Sequence, residues 1–271
     1  MKLLILSDLH LESSFFEPQE DAVKDADVVI LAGDIHPGVQ GIVWSRQVFK
    51  DKPVIYIAGN HEYFEGEFDA SLKRMRRTAK DLGINFLEND AITLGGIRFL
   101  GCTLWTDFEF YGADKATEMM NRAEVRWPDF IGSIQSKESP TGKLKPSTTV
   151  RRHWESRLWL QEQLPLGKQS ETIVITHHYP NKKSTPSRYI DDEMNVVFGS
   201  QIPDELTKQA SLWIHGHAHQ SVNYCIGDGK QQVRVIANPR GYVSFKNDPE
   251  NWKFNSGFLV EQKPDGRWDQ I

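Results

Sequence analysis

The chain has 271 residues, of which 39% are hydrophobic and 25% are charged, and this composition is typical of a globular protein with a sizeable core. Its formal net charge of −5 argues against binding to nucleic acid or to a membrane surface as the main activity. No apolar stretch approaches the length of a membrane span. The two cysteines, Cys102 and Cys225, lie in apolar, strand-like contexts, so we expect buried thiols in a cytoplasmic protein.

The first third of the chain alternates apolar runs with segments of helical spacing. The apolar runs predict three buried strands, at residues 3–6, 27–32 and 54–58. The helical spacing predicts two helices, at residues 41–50 and 67–82. This alternation of strands and helices predicts an α/β protein that is built in layers.

The middle of the chain has a weaker pattern. Two short strands, at residues 91–94 and 97–100, are predicted to form a hairpin through Gly95-Gly96. Residues 106–149 then lose their periodicity, and we interpret them as a lid-like insertion in a single domain that covers residues 1–271. A surface excursion with no part in catalysis is an equal alternative for this segment.

The last third of the chain contains an amphipathic helix and further strands. The helix is predicted at residues 149–164, with four apolar side chains that we expect to pack in the core: Trp154, Leu158, Trp159 and Leu160. The strands are predicted at residues 172–176, 212–214, 222–226, 233–237 and 257–261. The sequence has no internal repeat and no linker that would mark a second domain.

Five of the predicted strands end in side chains of the types that bind metal ions. In chain order these are Asp8 with His10, Asp34, Asn60 with His61, His177 with His178, and His217 with His219. Open α/β sheets bind their ligands at the carboxyl ends of the strands. If the strands share one sheet and one edge, these groups converge on a single site.

These residues occur in motifs whose order resembles that of a known family. Asp8-x-His10, Gly33-Asp34, Gly59-Asn60-His61-Glu62, His177 and Gly216-His217-x-His219 are similar to the ordered signature of the calcineurin-like metallophosphoesterases. The motifs span residues 8–219, which is most of the chain. The resemblance implies a four-layer α/β/β/α sandwich, as in metallo-dependent phosphatases, with a centre of two metal ions.

The resemblance also implies a role for each motif residue. One metal ion would be held by Asp8, His10, Asp34 and His219. The second would be held by Asp34, Asn60, His177 and His217, so that Asp34 bridges the two ions. His61 would contact the phosphoryl group and assist the leaving oxygen. The resemblance thus implies two catalytic residues, His61 and the bridging Asp34. Oxygen and imidazole ligands without thiolate suit Mn, Fe or Zn, in divalent or trivalent form, and the sequence does not choose among them.

The expected function is hydrolysis of a small phosphomonoester or phosphodiester by a hydroxide that bridges the two metal ions. Two divalent ions outweigh the carboxylates of Asp8 and Asp34, which leaves a cationic site suited to phosphate. A nuclease of the same family is one alternative, and the negative net charge counts against it. A catalytically silent metal-binding scaffold is another alternative, although this chain has the full set of motif residues. The oligomeric state stays open.

Several neighbouring residues have two possible roles. His178 either contacts a metal ligand or the substrate, or it has only a structural role. His215 either orients the last motif or packs in the core. His36 is either a substrate contact or a turn residue. Glu62 is expected to support the Asn60 loop through hydrogen bonds. Four basic residues are either candidates for holding a second anionic group or ordinary surface charges: Lys182, Lys183, Arg188 and Arg240.

Overall fold

The computed structural model describes residues 1–229, 231–244 and 248–271, and these form two large sheets and one small one. The first large sheet contains, in spatial order, β14 (Trp268–Gln270), β13 (Leu259–Gln262), β1 (Lys2–Leu6), β2 (Val28–Ala32), β3 (Val54–Ile57) and β5 (Asn85–Phe86). Strands β1, β2, β3 and β5 run parallel, and β13 and β14 extend the sheet in antiparallel fashion at one edge.

The second large sheet contains, in spatial order, β11 (Val222–Asp228), β12 (Gln231–Ala237), β10 (Leu212–His215), β9 (Thr172–Thr176), β7 (Ile97–Cys102) and β6 (Asp90–Leu94). Its four central strands are parallel, and its two edge strands are antiparallel. The predicted hairpin at Gly95-Gly96 is confirmed as β6 and β7. The small sheet pairs β4 (Gly66–Glu67) with β8 (Ile134–Gln135).

The helices cover the outer faces of the two large sheets. The α-helices of the described ranges are α1 (Glu20–Asp25), α2 (Gln40–Phe49), α3 (Phe68–Leu82), α4 (Ala116–Arg126), α5 (Pro146–Gln163) and α6 (Asp204–Thr207). Side chains of α1 to α4 pack with the first sheet, and side chains of α5 and α6 pack with the second. Among the described residues, none of the helices is both long and apolar enough to cross a membrane.

The alternation of side chains along each strand separates the buried residues into three cores. In β1, Leu3 and Ile5 belong to the core between the two sheets, whereas Leu4 and Leu6 belong to the core beneath the helices. In the second sheet, Val174 likewise packs with the helices on the far side. The layers therefore follow the order helix, sheet, sheet, helix, and the predicted four-layer α/β/β/α sandwich is confirmed.

Two predictions of burial are wrong. Cys102 is buried as expected, but Cys225 is exposed, because β11 is an edge strand whose side chains reach solvent. Trp154 and Leu158 are also exposed, at 37% and 56%. The other two predicted residues do pack in the core, since Leu160 is buried and Trp159 is half-buried, and helix α5 completes its buried face with Thr149, His153 and Ser156. This face is too polar to be selected from the sequence by its hydrophobicity.

Two segments contain more regular structure than the sequence predicts. The strand predicted at residues 257–261 corresponds to β13, and the short strand β14 follows it. Residues 106–149 include α4, a π-helical turn over Asp129–Ser133, β8 and the first turn of α5. The pairing of β8 with β4 connects this segment to the chain that follows β3.

Candidate metal centre

The carboxyl ends of five parallel strands meet at one edge of the sandwich. The expectation that these strands share one sheet is wrong, because β1, β2 and β3 belong to the first sheet, and β9 and β10 belong to the second. The two sheet edges are in direct contact, since Nδ1 of His177, after β9, lies 2.9 Å from the carbonyl oxygen of Ala32, at the end of β2. The side chains that follow the five strands therefore occupy one cluster.

The backbone of this edge is strained. Five residues of the motifs have φ in the left-handed region: Asp8 (52°), His10 (45°), Asp34 (55°), His217 (69°) and His219 (46°). Residues other than glycine seldom adopt such angles, and they keep them only where the surrounding structure enforces them. Strain that is concentrated on the predicted ligands is typical of a functional site.

Two glycines allow the strand ends to approach each other. Gly33 has a φ of 90°, and a Cβ at this position would collide with the ring of His177. A Cβ on Gly59 would collide with Oδ1 of Asp34 and with the same histidine ring. The Gly-Asp and Gly-Asn-His motifs therefore need glycine because another chain segment fills the space of a side chain.

Asp8, His10 and His219 form a group that could hold a metal ion. The Nε2 atoms of His10 and His219 lie 3.1 Å apart, and Nε2 of His219 lies 3.5 Å from Oδ1 of Asp8. Asp8 is fully buried, and its Oδ2 has no hydrogen-bond partner among the described residues. A buried carboxylate oxygen without a partner is costly, and a cation at this position would satisfy it. The group therefore fits a metal ion.

Asp34, His177 and His217 form another such group. Nε2 of His177 lies 3.1 Å from Nδ1 of His217, 3.3 Å from Oδ2 of Asp34 and 3.3 Å from Oδ1 of Asn60. These four residues are those that the family resemblance assigns to one metal ion. Asp34 is also grouped with His10 and His61, so it lies between the two candidate sites.

Each histidine of these two sites has one ring nitrogen that faces the cluster. Its other ring nitrogen contacts a hydrogen-bond acceptor outside the cluster. The outer contacts join His10 Nδ1 to Glu12 (3.0 Å), His219 Nδ1 to Glu250 (2.7 Å), His177 Nδ1 to Ala32 O (2.9 Å) and His217 Nε2 to Val197 O (3.2 Å). An acceptor at the outer nitrogen holds a proton there, so the inner nitrogen is the one that can offer its lone pair to a metal ion once any proton on it is released. This arrangement is the one that metal-binding histidines require.

Comparison with known proteins agrees with this geometry. The sequence model of the calcineurin-like phosphoesterase family matches residues 1–221, which include all the motifs. The chain belongs to this family. The solved structure of the phosphopantetheinyl hydrolase from Mycobacterium tuberculosis has a TM-score of 0.66 with this chain, at 19% identity, and the match covers 100% of this chain and 95% of that one. At this identity the likeness shows the fold alone. No curated protein matches the sequence significantly.

In this calcineurin-like phosphoesterase, Asp34 and His177 form a buried pair of charges. Burial opposes the ionisation of both groups, but their mutual attraction raises the pKa of His177 to about 10 and lowers the pKa of Asp34 well below its usual range. The carboxylate of Asp34 is therefore charged at neutral pH. A charged carboxylate between two groups of nitrogen and oxygen ligands is suited to binding cations.

His61 lies beside this pair and has a polar partner at each ring nitrogen. Its Nδ1 lies 3.6 Å from a carboxylate oxygen of Glu12, and its Nε2 lies 3.3 Å from the hydroxyl of Tyr242. Burial lowers the pKa of His61, but the carboxylates around it, that of Asp34 foremost, raise it to about 9. In the metal-free protein the imidazole of His61 is therefore protonated at neutral pH.

Glu62 supports the loop that contains Asn60, as predicted from the sequence, and also the loop that contains Asp34. Its buried carboxylate accepts hydrogen bonds from the backbone nitrogens of Asp34 (2.9 Å), Ile35 (2.8 Å) and Gly59 (2.7 Å), and from the hydroxyl of Tyr56 (2.8 Å). These bonds connect the loop after β2 with the loop after β3. The positions of Asp34 and Asn60 therefore depend on one side chain.

Four residues that contact the cluster were not identified from the sequence: Glu12, Asp129, Tyr242 and Glu250. Asp129 accepts a hydrogen bond from Nδ2 of Asn60, at 3.0 Å, and the other three contact His10, His61 or His219. Glu12 could have been identified from the sequence, because it follows the motif residue His10 by two positions. The other three come from distant loops and carry no motif.

The three histidines with two possible roles have identifiable partners. His178 is buried, with Nδ1 3.2 Å from the carbonyl oxygen of Thr103. His215 is also buried, and its Nε2 lies 2.8 Å from the hydroxyl of Ser184. The ring of His36 lies against its own turn, with Nδ1 2.9 Å from the carbonyl oxygen of Pro37. The contacts of His178 and His36 favour structural and turn roles over substrate contact. His215 packs in the core, and its Nδ1 also lies 3.0 Å from the carbonyl oxygen of Gly216 in the last motif.

The four basic candidates also differ in position. Arg240 is buried and donates to the carbonyl oxygens of Leu9 and Phe15, so it supports the first loop. Lys182 and Lys183 lie over the rings of Phe110 and Tyr224. Arg188 alone among the four lines the pocket above the cluster.

This pocket has a volume of about 320 Å³. Its floor contains Asp34, Asn60, His61, His217 and His219. Residues 126–129 of the predicted insertion form part of its wall. A larger cavity, of about 770 Å³, lies near Arg234 and Trp268 and contains none of the predicted site residues.

Proposed function

We propose that the chain is a dinuclear-metal phosphoesterase that hydrolyses a small phosphomonoester or phosphodiester. One observation carries the proposal: the charged carboxylate of Asp34 lies between two groups of nitrogen and oxygen ligands. Family membership supports the reaction class, and the structural neighbour is a hydrolase by name. The pocket volume of about 320 Å³ suits a small substrate.

The proposed ligands of one ion are Asp8, His10, Asp34 and His219, and those of the other are Asp34, Asn60, His177 and His217. Bound Mn, Fe or Zn would lower the pKa of a water molecule and stabilise charge on the phosphoryl oxygens. The unpartnered Oδ2 of Asp8 and the inward ring nitrogens of the four histidines support this assignment.

The protein's own contribution to the reaction is proton transfer and positioning. In hydrolysis, a water oxygen bonds to phosphorus and releases a proton to solvent, the bond from phosphorus to the leaving oxygen breaks, and that oxygen takes up a proton from an acid that solvent then reprotonates. We assign this proton to the imidazolium of His61, which faces the pocket. Glu12 orients the His61 ring from its Nδ1 side, and Tyr242 contacts its Nε2 side. The insertion residues 126–129 would exclude water from one side of the substrate.

The test is to load the protein with Mn²⁺, Zn²⁺ or Fe²⁺, count the bound ions, and measure hydrolysis of a chromogenic aryl phosphate and of its bis-ester. We expect two ions per chain, turnover of at least one ester, and loss of turnover on chelation. In Asp34→Ala, both ions should bind more weakly, because this residue contributes to both sites. A metal-loaded protein that hydrolyses neither ester would favour the scaffold alternative. Turnover of single-stranded DNA above that of the small esters would favour the nuclease.

A further inference from the structure

The walls of the pocket above the cluster are largely aromatic. Five aromatic side chains line it: Phe64, Trp127, Tyr189, Phe198 and Tyr242. Three of them are in contact with histidines of the cluster: Phe64 stacks on His61 (ring centroids 4.1 Å apart), Tyr242 stacks on His10 (4.4 Å), and Phe198 lies beside His217 (5.0 Å). The aromatic wall is therefore continuous with the position that a phosphoryl group would occupy.

Three of these rings pack against one another. Trp127 meets Phe198 edge to face, with the ring centroids 5.2 Å apart and the planes at 77°. Tyr189 lies parallel to Phe198 at 6.5 Å. Trp127 and Phe64 are only partly buried, and Tyr242 is 46% exposed. These rings present apolar surface to solvent that a substrate could cover.

The charges around the walls are already paired. Arg126 contacts the carboxylate of Glu193, and Arg188 lies 2.9 Å from Glu250. Asp129 accepts a hydrogen bond from Asn60. Among the described residues that line the pocket, the two arginines are therefore matched by carboxylates. Both arginines already have a carboxylate partner, so a second anionic group of a substrate would have to compete for them.

We infer that the pocket recognises phosphoesters whose leaving group carries a flat, uncharged aromatic ring. This inference rests on the proposed function, because it places the phosphoryl group at the metal centre and the leaving group between the aromatic walls. An aromatic ring gains edge-to-face or stacked contacts that a saturated ring of similar size does not make. A charged ring loses hydration without gaining a free partner in the pocket.

Recognition can be measured separately from chemistry with phosphonates, in which carbon replaces the leaving oxygen and no bond can be cleaved. The Kd of benzylphosphonate and of cyclohexylmethylphosphonate would be measured by calorimetry on the metal-loaded protein. We expect benzylphosphonate to bind about threefold to tenfold more tightly. Benzyl phosphate and cyclohexylmethyl phosphate, whose rings lie one atom further from phosphorus than in the two phosphonates, should show the same order in kcat/KM. 4-Carboxybenzylphosphonate should bind more weakly than benzylphosphonate.

A variant pair tests the position of the ring. Trp127→Leu should reduce the preference for benzyl over cyclohexylmethyl to less than about twofold, because it removes one aromatic face. Trp154→Leu is the matched control, since Trp154 lies outside the pocket on the exposed face of α5, and it should keep the full preference.

The outcomes distinguish this inference from the proposed function. Equal affinity for the two phosphonates in the wild-type protein, together with turnover of both esters, would overturn the inference and leave the phosphoesterase activity intact. Tighter binding of benzylphosphonate without turnover of any ester would support the recognition of an aromatic group and overturn the proposed activity.

Discussion

The side-chain amide of Asn60 donates a hydrogen bond to Asp129, with 3.0 Å between Nδ2 and Oδ1. Both residues are buried, and the bond joins the Gly-Asn-His motif to the insertion. Because the amide nitrogen is held by Asp129, the amide oxygen faces His177, with Oδ1 3.3 Å from Nε2. A residue without any motif thus determines which end of the Asn60 amide faces the candidate metal site.

We expect Asp129→Ala to weaken metal binding by about tenfold to 100-fold, because the amide of Asn60 is then free to rotate. Asp129→Asn keeps an acceptor oxygen and should retain most of the affinity. Asp114→Ala is the control, since Asp114 is exposed in the same insertion. Metal titration by calorimetry measures the effect. Equal metal affinity in Asp129→Ala and Asp114→Ala would contradict the orienting role.

Glu62 is expected to be important for stability as well as for the site. Glu62→Gln replaces a carboxylate that accepts four hydrogen bonds with an amide whose nitrogen cannot accept any. Unsatisfied backbone donors should then lower the free energy of unfolding by about 2 kcal/mol. Denaturant unfolding of the metal-free protein measures this loss. Glu65→Gln, at an exposed position nearby, should be neutral, and a similar loss there would show that the effect is not specific to Glu62.

His61 can be tested through the leaving group. If its imidazolium gives a proton to the leaving oxygen, His61→Ala should slow the hydrolysis of an alkyl phosphate by about 100-fold or more. The hydrolysis of a 4-nitrophenyl ester should suffer much less, because that leaving group departs without a proton. The ratio of the two kcat values is the measurement. Equal losses for both esters would restrict His61 to binding the phosphoryl group.

His215 makes the stability of the metal-free protein depend on pH. Burial lowers the pKa of His215 to about 4 in the folded protein, whereas an unfolded histidine takes up a proton near pH 6.5. Between pH 6.5 and 4 the unfolded state therefore binds a proton that the folded state excludes. The free energy of unfolding should fall across this window by up to about 3 kcal/mol as the pH decreases.

A comparison of variants isolates this contribution. His215→Asn should flatten the fall in the free energy of unfolding between pH 6.5 and 4, as measured by denaturant unfolding at several pH values. His36→Asn serves as the control, because His36 is partly exposed on its turn. If His215→Asn has the same pH profile as the wild-type protein, the acid sensitivity comes from other groups.

Much of the fold could be predicted because its strands are short apolar runs with a polar end. Leu3 to Leu6 are all buried, and the strand that contains them was identified without any tertiary information. Hydrophobicity failed where packing depends on shape instead. Helix α5 buries His153 and Ser156 beside Leu160 and exposes Leu158, so its apolar stripe indicated only part of the buried face.

The residues of the candidate metal centre could be selected from the sequence, because a strand end brings a carboxylate or an imidazole to the edge of a sheet. Asp8, Asp34 and His177 needed only their local motifs to be selected. The residues that surround them became visible only in the folded chain: the partner of Asn60, the aromatic walls and the outer contacts of the histidines. These residues are far from the motifs in the chain, and their positions depend on how loops pack, which local periodicity does not encode.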